Sequence, residues 1–598
     1  MGVPHLKRHL QPYAQFSVLR QRELIIDGPG LAYHIFHVCQ CRSTTSSPLG
    51  QPSYSLLCAT ALAWLDKLVE CGASVSAIYF DGYLPDSKIH ERRNRLFDLS
   101  NNLRSYFSVY PNGVPAGLEL DEGRTVAPFP ALKGSGPTRR LPIPAFAVPA
   151  IIEALIRSPS YGSRTRVVPG EADAFCAMHA RLQGGTIITS DSDLLIYDLG
   201  PDGSVVFFAD IDLRTESLAE SVIAAEYIPL QICARLSLPE AGGMLALAFE
   251  LAMDRHLTLE KALARARENS SSKRCPLYYR TFADEYLVPE VVEPANGSPA
   301  LALPPDPRIS ELLLTVFDLA CRRTEVKAEA WAAVDHDIES IPMYLPFLFD
   351  SPSRTSAWEA SRSVREIAYG LLQIALGCSI SEVAEFRRLH SSPGGTRVRP
   401  APLLALEGDC LQLSESLARV RAISADDEEY WTLFCILQDV SYSVAQEKRA
   451  PLSLQVLGMD KNDDADTIPW DLIHFTAQAQ GTLYSLRIIQ QVMNFVFRQN
   501  VQEMPPAFAQ LLSRLSALHA PEHYPQVASY ASLIQKTRDS GSLSSLASSF
   551  EFPDDMREQF TQVVTPKRHR SKEKPRKRRN PERSQSQPSN LFALLDAD

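Results

Sequence analysis

Three stretches decide the fold: LIID (Leu24–Asp27), SAIYFD (Ser76–Asp81) and TIITSDSD (Thr186–Asp193). Each is a short run of apolar, β-branched or aromatic residues that ends in carboxylates. That is the pattern of a strand buried on both faces. Helical periodicity precedes the second (Tyr54–Glu70) and the third (Glu171–Gln183). Strand–helix alternation implies an α/β domain with a mostly parallel sheet. Such sheets bind ligands at the carboxyl ends of their strands, which is where all three stretches place Asp.

Outward from this frame the chain changes character. Pro111–Pro149 is rich in Pro and Gly and reads as a long loop, and Asn296–Pro307 reads as a linker. From Ile309 to about residue 547 the patterns are mostly helical, and no repeat has a fixed period. From Thr565 the chain is basic and Ser/Gln/Pro-rich, a composition expected to stay disordered, and it closes on the amphipathic stub SNLFALLDAD. The expected division is an α/β domain over 1–240, a helical continuation and linker over 241–307, a helical domain over 308–560 and a basic tail over 565–598.

The chain has 598 residues, 45% hydrophobic and 22% charged, which is too long for one core and ordinary for a globular protein. No apolar run is long enough to span a bilayer, so no membrane partner is expected. The N-terminal MGVPHLKRHL lacks the apolar core of a secretory leader, and Leu6 stands where N-myristoylation needs Ser or Thr. The 11 cysteines form no CxxC pair, as expected in a reducing compartment. Net charge is −10, yet residues 565–583 hold ten Lys/Arg against two Glu. Nucleic-acid contact therefore has to use local basic patches.

Asp27, Asp81, Asp191 and Asp193 close strands, and Glu171 and Asp173 stand in PGEADAFCAMHARL after a Gly that permits a tight turn. Any one of them could simply cap a helix. Six acids brought to one sheet edge would repel one another, and hard divalent ions such as Mg²⁺ or Mn²⁺ would neutralise them. Two such ions would clamp a phosphodiester. After Asp81, in DGYLPDSKIHERRNRL, Lys88, Arg92 and Arg95 fall on one stripe of a helix expected to run about two turns from an Asp86 N-cap. A charge stripe is usually a solvated face. This one begins close to a carboxylate, where cations would grip phosphates.

Taken together, MGVPHL, IIDGPGLAYHI, YFDGYLPDSKIHERR, PGEADAFCA and TSDSDLLIYD resemble, in order, the motifs of the flap endonuclease/XPG superfamily, whose nuclease core is PIN-like. With IPMYLPFLFDSPSRTSAWEASRSVREIAYGLL in the second half, the chain is most similar to the asteroid family. The nuclease resemblance covers roughly residues 1–240 and the asteroid resemblance roughly 1–560.

The resemblance implies that Asp27, Asp81, Glu171, Asp173, Asp191 and Asp193 are metal ligands. It implies that Lys88 and Arg95 serve catalysis from the helix over the site; Arg92, on the same stripe by spacing, is expected to bind nucleic acid with them. It implies that Tyr33 stacks against DNA near a junction, and that Gly2 lies near the site. The implied activity is hydrolysis of branched or overhanging DNA with two Mg²⁺ or Mn²⁺ ions. A departure accompanies it: IPLQICARLSLPEAGGMLALAFELAMD lacks the GxD segment that supplies a seventh acid, and Asp254 is a weak substitute.

Two further functions compete with this one. A PIN-like scaffold with little or no catalysis would bind nucleic acid or protein through its helical half. A phosphatase or sugar transferase built on DSD would leave Asp27, Asp81 and the basic stripe unexplained, and Leu195 replaces the residue phosphatases carry. In the tail, KRHRSKEKPRKRR presents Lys567, Arg568, Arg570, Lys572, Lys574, Arg576, Lys577, Arg578 and Arg579 as a nuclear import signal or polyanion tether. Nuclear localisation is expected, with a cytoplasmic location the alternative. DNA-repair proteins are possible partners of the helical domain or tail.

Overall fold

The computed structural model describes residues 3–41, 51–115, 126, 128–129, 142–216, 219–239, 242–254, 256–268, 275–288, 303–329, 338–376, 379–388, 394–447, 450–459, 467–498 and 504–564. Gly2 and the whole basic tail, with its proposed import signal, lie outside these residues.

The three decisive stretches are strands β2 (Glu23–Asp27), β3 (Ser74–Asp81) and β6 (Gly185–Thr189). With β1 (Gln15–Val18), β5 (Thr165–Val168), β7 (Gly203–Glu216) and β8 (Ala219–Tyr227) they form a seven-stranded sheet, ordered β1-β8-β7-β6-β2-β3-β5. The pairs β7–β6, β6–β2, β2–β3 and β3–β5 are parallel, and β8 and β1 close one side antiparallel. The expected α/β class with a mostly parallel sheet is therefore observed. The run LIID is apolar throughout because β2 is the middle parallel strand and is covered on both faces.

One face is covered by α2 (Gly28–Cys41), α3 (Tyr54–Glu70) and, further on, α5 (Ala147–Arg157). The other is covered by α1 (Leu6–Leu10), α6 (Ala172–Gln183), α7 (Pro229–Arg235), α8 (Gly243–Met253) and α9 (Leu259–Arg267), followed by α10 (Pro276–Asp284). Between β3 and α5 lies α4 (Ile89–Val109). The chain leaves β2 towards β3 on one side and returns to β6 on the other. The crevice between β2 and β6 is thus the switch point where such sheets bind ligands.

The second half begins with α11 (Pro307–Glu329) and is mostly helical, as expected. It also contains strands absent from the sequence reading. β9 (Ile338–Tyr344) and β10 (Ile380–Phe386) pair in parallel, and β10 pairs antiparallel with β11 (Thr396–Val398). A long helix, Trp470–Val496, is buried along most of its circumference. One hydrophobic core joins this half to the α3/α5 face of the first sheet. A short pairing of β4 (Val114–Pro115) with β12 (Thr467–Ile468), and a Trp470 Nε1 bond to Tyr110 O at 2.7 Å, add polar ties. Beneath that core, Arg365 and Glu385 form a fully buried ion pair at 2.6 Å, joined by Arg387 and by the Tyr369 hydroxyl. No described helix is long and apolar enough to cross a membrane.

Candidate nuclease site

β2 delivers Asp27 to the sheet edge, where it is 5% exposed. Two glycines after it allow the close packing, Gly30 against Asp27 itself and Gly28 against β3. A Cβ on Gly30 would sit 2.4 Å from Asp27 Oδ2, and one on Gly28 would strike Phe80 and Tyr79 O at 2.6 Å. Gly30 N instead donates to Asp27 Oδ1 at 3.1 Å. Thr189, at the end of β6, donates its hydroxyl to Asp27 Oδ2 at 2.7 Å and accepts from Asp191 N at 2.9 Å. This threonine orients two acids at once. The sequence reading missed it, although it directly precedes SDSD.

The same crowding explains the glycine after Asp81. A Cβ on Gly82 would lie 2.2 Å from Val168 O and 2.8 Å from Ser310 Oγ of α11, so the second half packs directly behind the site. Asp81 Oδ1 accepts from Ala172 N at 2.7 Å and so caps the start of α6. Asp191 Oδ1 accepts from Asp193 N at 3.1 Å, and Asp193 Oδ1 accepts from Val3 N at 2.9 Å. Capping and convergence thus coexist in the same carboxylates.

Four of the acids have raised pKa values. Burial pushes Asp81 up to about 7, with Asp27 and Glu171 adding to the rise. Burial also raises Asp173 well above the carboxylate range, and Asp27, Asp191, Asp81 and Glu171 push it the same way. Asp27 is raised by burial, with Asp191 reinforcing the rise. Asp193 rises to about 6 through burial and Asp191. An all-oxygen cluster held in mutual repulsion fits hard divalent cations by its donor chemistry. Among the described residues, as placed, no three His, Cys, Asp or Glu close into a ready metal-binding group.

The basic stripe divides by role. Asp86 to Lys88 form a short 3₁₀ turn, and the helix after it is α4, 21 residues long. The expected two-turn helix capped by Asp86 is therefore corrected: Lys88 is the N-cap residue, at the foot of a longer helix. Lys88 Nζ lies 3.2 Å from Glu171 Oε1. Burial disfavours its charge, but Glu171, Asp193 and Asp173 outweigh burial and raise its pKa. Arg95, ~10 Å further along the helix, is exposed and pairs with Glu91. Arg92 is engaged inside the protein. It binds Glu311 of α11 at 2.5 Å and lies 3.8 Å over the Tyr344 ring of β9. Arg93 sits over Phe386, which stacks on Tyr344 at 4.6 Å. The second half thereby grips α4. Tyr33 of α2 is 50% exposed.

Two neighbours were not read from the sequence. Tyr286, just after α10, sits beside Asp193, and its ring meets Tyr197 edge-on at 5.4 Å. Asp254 does not join the cluster. It is exposed after α8 and its Oδ1 accepts from His256 N at 3.0 Å, closing its own turn.

A mostly parallel sheet with acids at the carboxyl ends of its strands is consistent with a PIN-like, XPG-type domain. Residues 143–399 match the family model described as XPG domain containing. That span takes in Glu171, Asp173, Asp191 and Asp193 and continues through β9–β11. The chain is also similar to Asteroid homolog 1 of Schizosaccharomyces pombe, with 22% identity over 409 residues, or 65% of this chain. The match spans 64% of that protein's length. Together these bear out the resemblance to asteroid-type, XPG-like proteins.

Proposed function

We propose that this protein is a metal-dependent, structure-selective endonuclease that hydrolyses DNA phosphodiesters at single-strand/duplex junctions. What supports this reading is the placing of Asp27, Asp81, Glu171, Asp173, Asp191 and Asp193 along the carboxyl edge around the switch point, with Asp27 and Asp191 tied through Thr189, Asp81 on the start of α6, and Lys88 against Glu171. The six carboxylates would hold two Mg²⁺ or Mn²⁺ ions. Bound there, the ions would supply charge neutralisation at the phosphate and an activated water. Lys88 binds the phosphate next to the acids and orients the scissile bond, and Arg95 contacts the backbone further along α4. Tyr33, half exposed, offers a ring on which a base can stack. A labelled panel of flaps, overhangs and splayed arms, incubated with Mg²⁺ or Mn²⁺, tests this reading. Cutting near the junction is expected, and an uncut panel would overturn it.

A scaffold that binds nucleic acid or protein without cutting is the second reading. Asp254, turned away into its own loop, favours it. The basic tail is proposed as a nuclear import signal, and the second half or the tail as a surface for DNA-repair proteins. A tagged chain truncated at Thr565 should lose nuclear accumulation and keep its activity in vitro. Unchanged localisation would refute the import role.

A further inference from the structure

Beside the acids, on the side of the sheet away from Lys88, a groove of about 480 Å³ separates α1 from the DSD turn. It is lined by His5, Lys7, Arg8 and Gln11 on one wall and by Ser192 and Asp210 on the other. Ser192 lies between two of the candidate metal ligands. The Val3 N bond to Asp193 fixes α1 against the cluster.

The charges in this groove are unequal. Lys7 Nζ pairs with Asp210 at 3.0 Å and lies 4.2 Å from the centre of the Phe207 ring, so that lysine and the groove's one acid neutralise each other. Arg8 is exposed and makes no ion pair among the described residues. His5 is exposed too, and takes the left-handed conformation with φ 62°, where a side chain is uncommon. The surplus charge is felt nearby: His9 is lowered first by burial, then by His5 and Arg8.

Sheet order sets the spacing. Asp210 lies on β7 and Asp193 follows β6, whereas Lys88 follows β3. Three interstrand steps separate β7 from β3, or about 14 Å. Cations therefore stand at both ends of the acid row.

We propose that this groove is a second subsite for a phosphodiester backbone, with Arg8 and His5 as its contacts, so that a strand lies across the acids between Arg8 and Lys88. The proposal rests on the nuclease reading for its substrate class, but it makes its own forecast about binding. The strand enters as a polyanion recognised by charge, so no base preference is expected from these residues.

The test is binding of a fluorescent single-stranded oligonucleotide and of an overhang duplex to the full chain in EDTA, followed across a salt series. Arg8→Gln should weaken binding several-fold and reduce the salt slope by about 0.7 for a single-stranded contact. His5→Gly, which removes the second contact, should weaken binding less than Arg8→Gln does. Arg20→Gln is the control, because Arg20 is an exposed arginine just before β2, at the opposite end of the strands. It should bind as wild type does. Arg8→Gln indistinguishable from Arg20→Gln would overturn the subsite while leaving the nuclease reading intact. A wild-type chain that binds neither probe would overturn the subsite, while the nuclease reading stands or falls on cleavage with Mn²⁺. Arg8 is exposed, so the melting temperature of Arg8→Gln should match wild type; if it falls, Arg8→Lys separates the readings by restoring binding only where charge is what matters.

Discussion

Replacing Asp81 with Asn should stabilise the metal-free protein, and by an amount that depends on pH. The carboxyl is raised from 3.8 to about 7 in the folded state, first by burial and then by Asp27 and Glu171. A group raised in this way favours the folded state fully only below the unfolded value. That contribution is lost as the pH climbs through the folded one. Integrating between the two values, the Asp81 carboxyl destabilises the fold by about 2 kcal/mol at pH 5, where only the unfolded chain is ionised, and by about 4 kcal/mol at pH 7.5. Asn removes that charge at nearly constant size, and its Oδ1 can still accept from Ala172 N, so the cap on α6 survives. The assay is urea unfolding in EDTA at both pH values. The variant should be more stable than wild type, with a gain at pH 7.5 roughly twice that at pH 5. An equal or lower midpoint, or a gain that ignores pH, would refute electrostatic strain at the site. Adding Mn²⁺ should then stabilise wild type more than Asp81→Asn, because the ion binds the folded state.

Other residues make sharper distinctions. Lys88→Gln should lower single-turnover cleavage far more than substrate affinity, and a rate within about twofold of wild type would return Lys88 to a surface role. Arg92→Met should lower stability by about 1–3 kcal/mol, because it loses both Glu311 and the Tyr344 ring. An unchanged melting temperature would show that the grip on α4 carries no weight. Glu385→Gln should cost about 3–5 kcal/mol by leaving Arg365 and Arg387 buried without their partner. Burial pushes Glu385 up, but the two arginines outweigh it and hold its carboxyl at about 2. Its stabilising contribution is therefore complete above about pH 4.5 and lost as the pH falls towards 2, so acid unfolding of the variant should lack that limb.

Much of the site was legible because buried parallel strands announce themselves. LIID, SAIYFD and TIIT are apolar on both faces, and the acids that follow them can only lie at the carboxyl edge. β5, with the sequence TRVV, was missed because it is an edge strand whose Arg166 faces solvent. β9 and β10 were missed for a related reason. IESIPMY and ISEVAEF alternate too irregularly, and their Glu, Ser and Pro hide the period. Glu385 is among the most buried residues of the second half, yet its sequence context does not mark it as such: Arg365 lies 20 residues away, and Arg387, two residues on, reads as an ordinary surface charge. The stripe on α4 shows the opposite failure. Lys88, Arg92 and Arg95 look equivalent by spacing, and only the packing of α11 and β9 singles out Arg92. Thr189 and Val3 serve the acids through a hydroxyl and a backbone N–H, which no residue-type pattern signals.

On the proposed reading the six acids form one divalent-cation site. Calorimetric titration of the metal-free full chain with Mn²⁺ tests it most directly, with the Asp191→Asn/Asp193→Asn double variant alongside. Wild type should take up two ions, and the variant should lose at least one while staying folded. Wild type that binds no Mn²⁺, or a double variant that binds it as wild type does, would contradict the account.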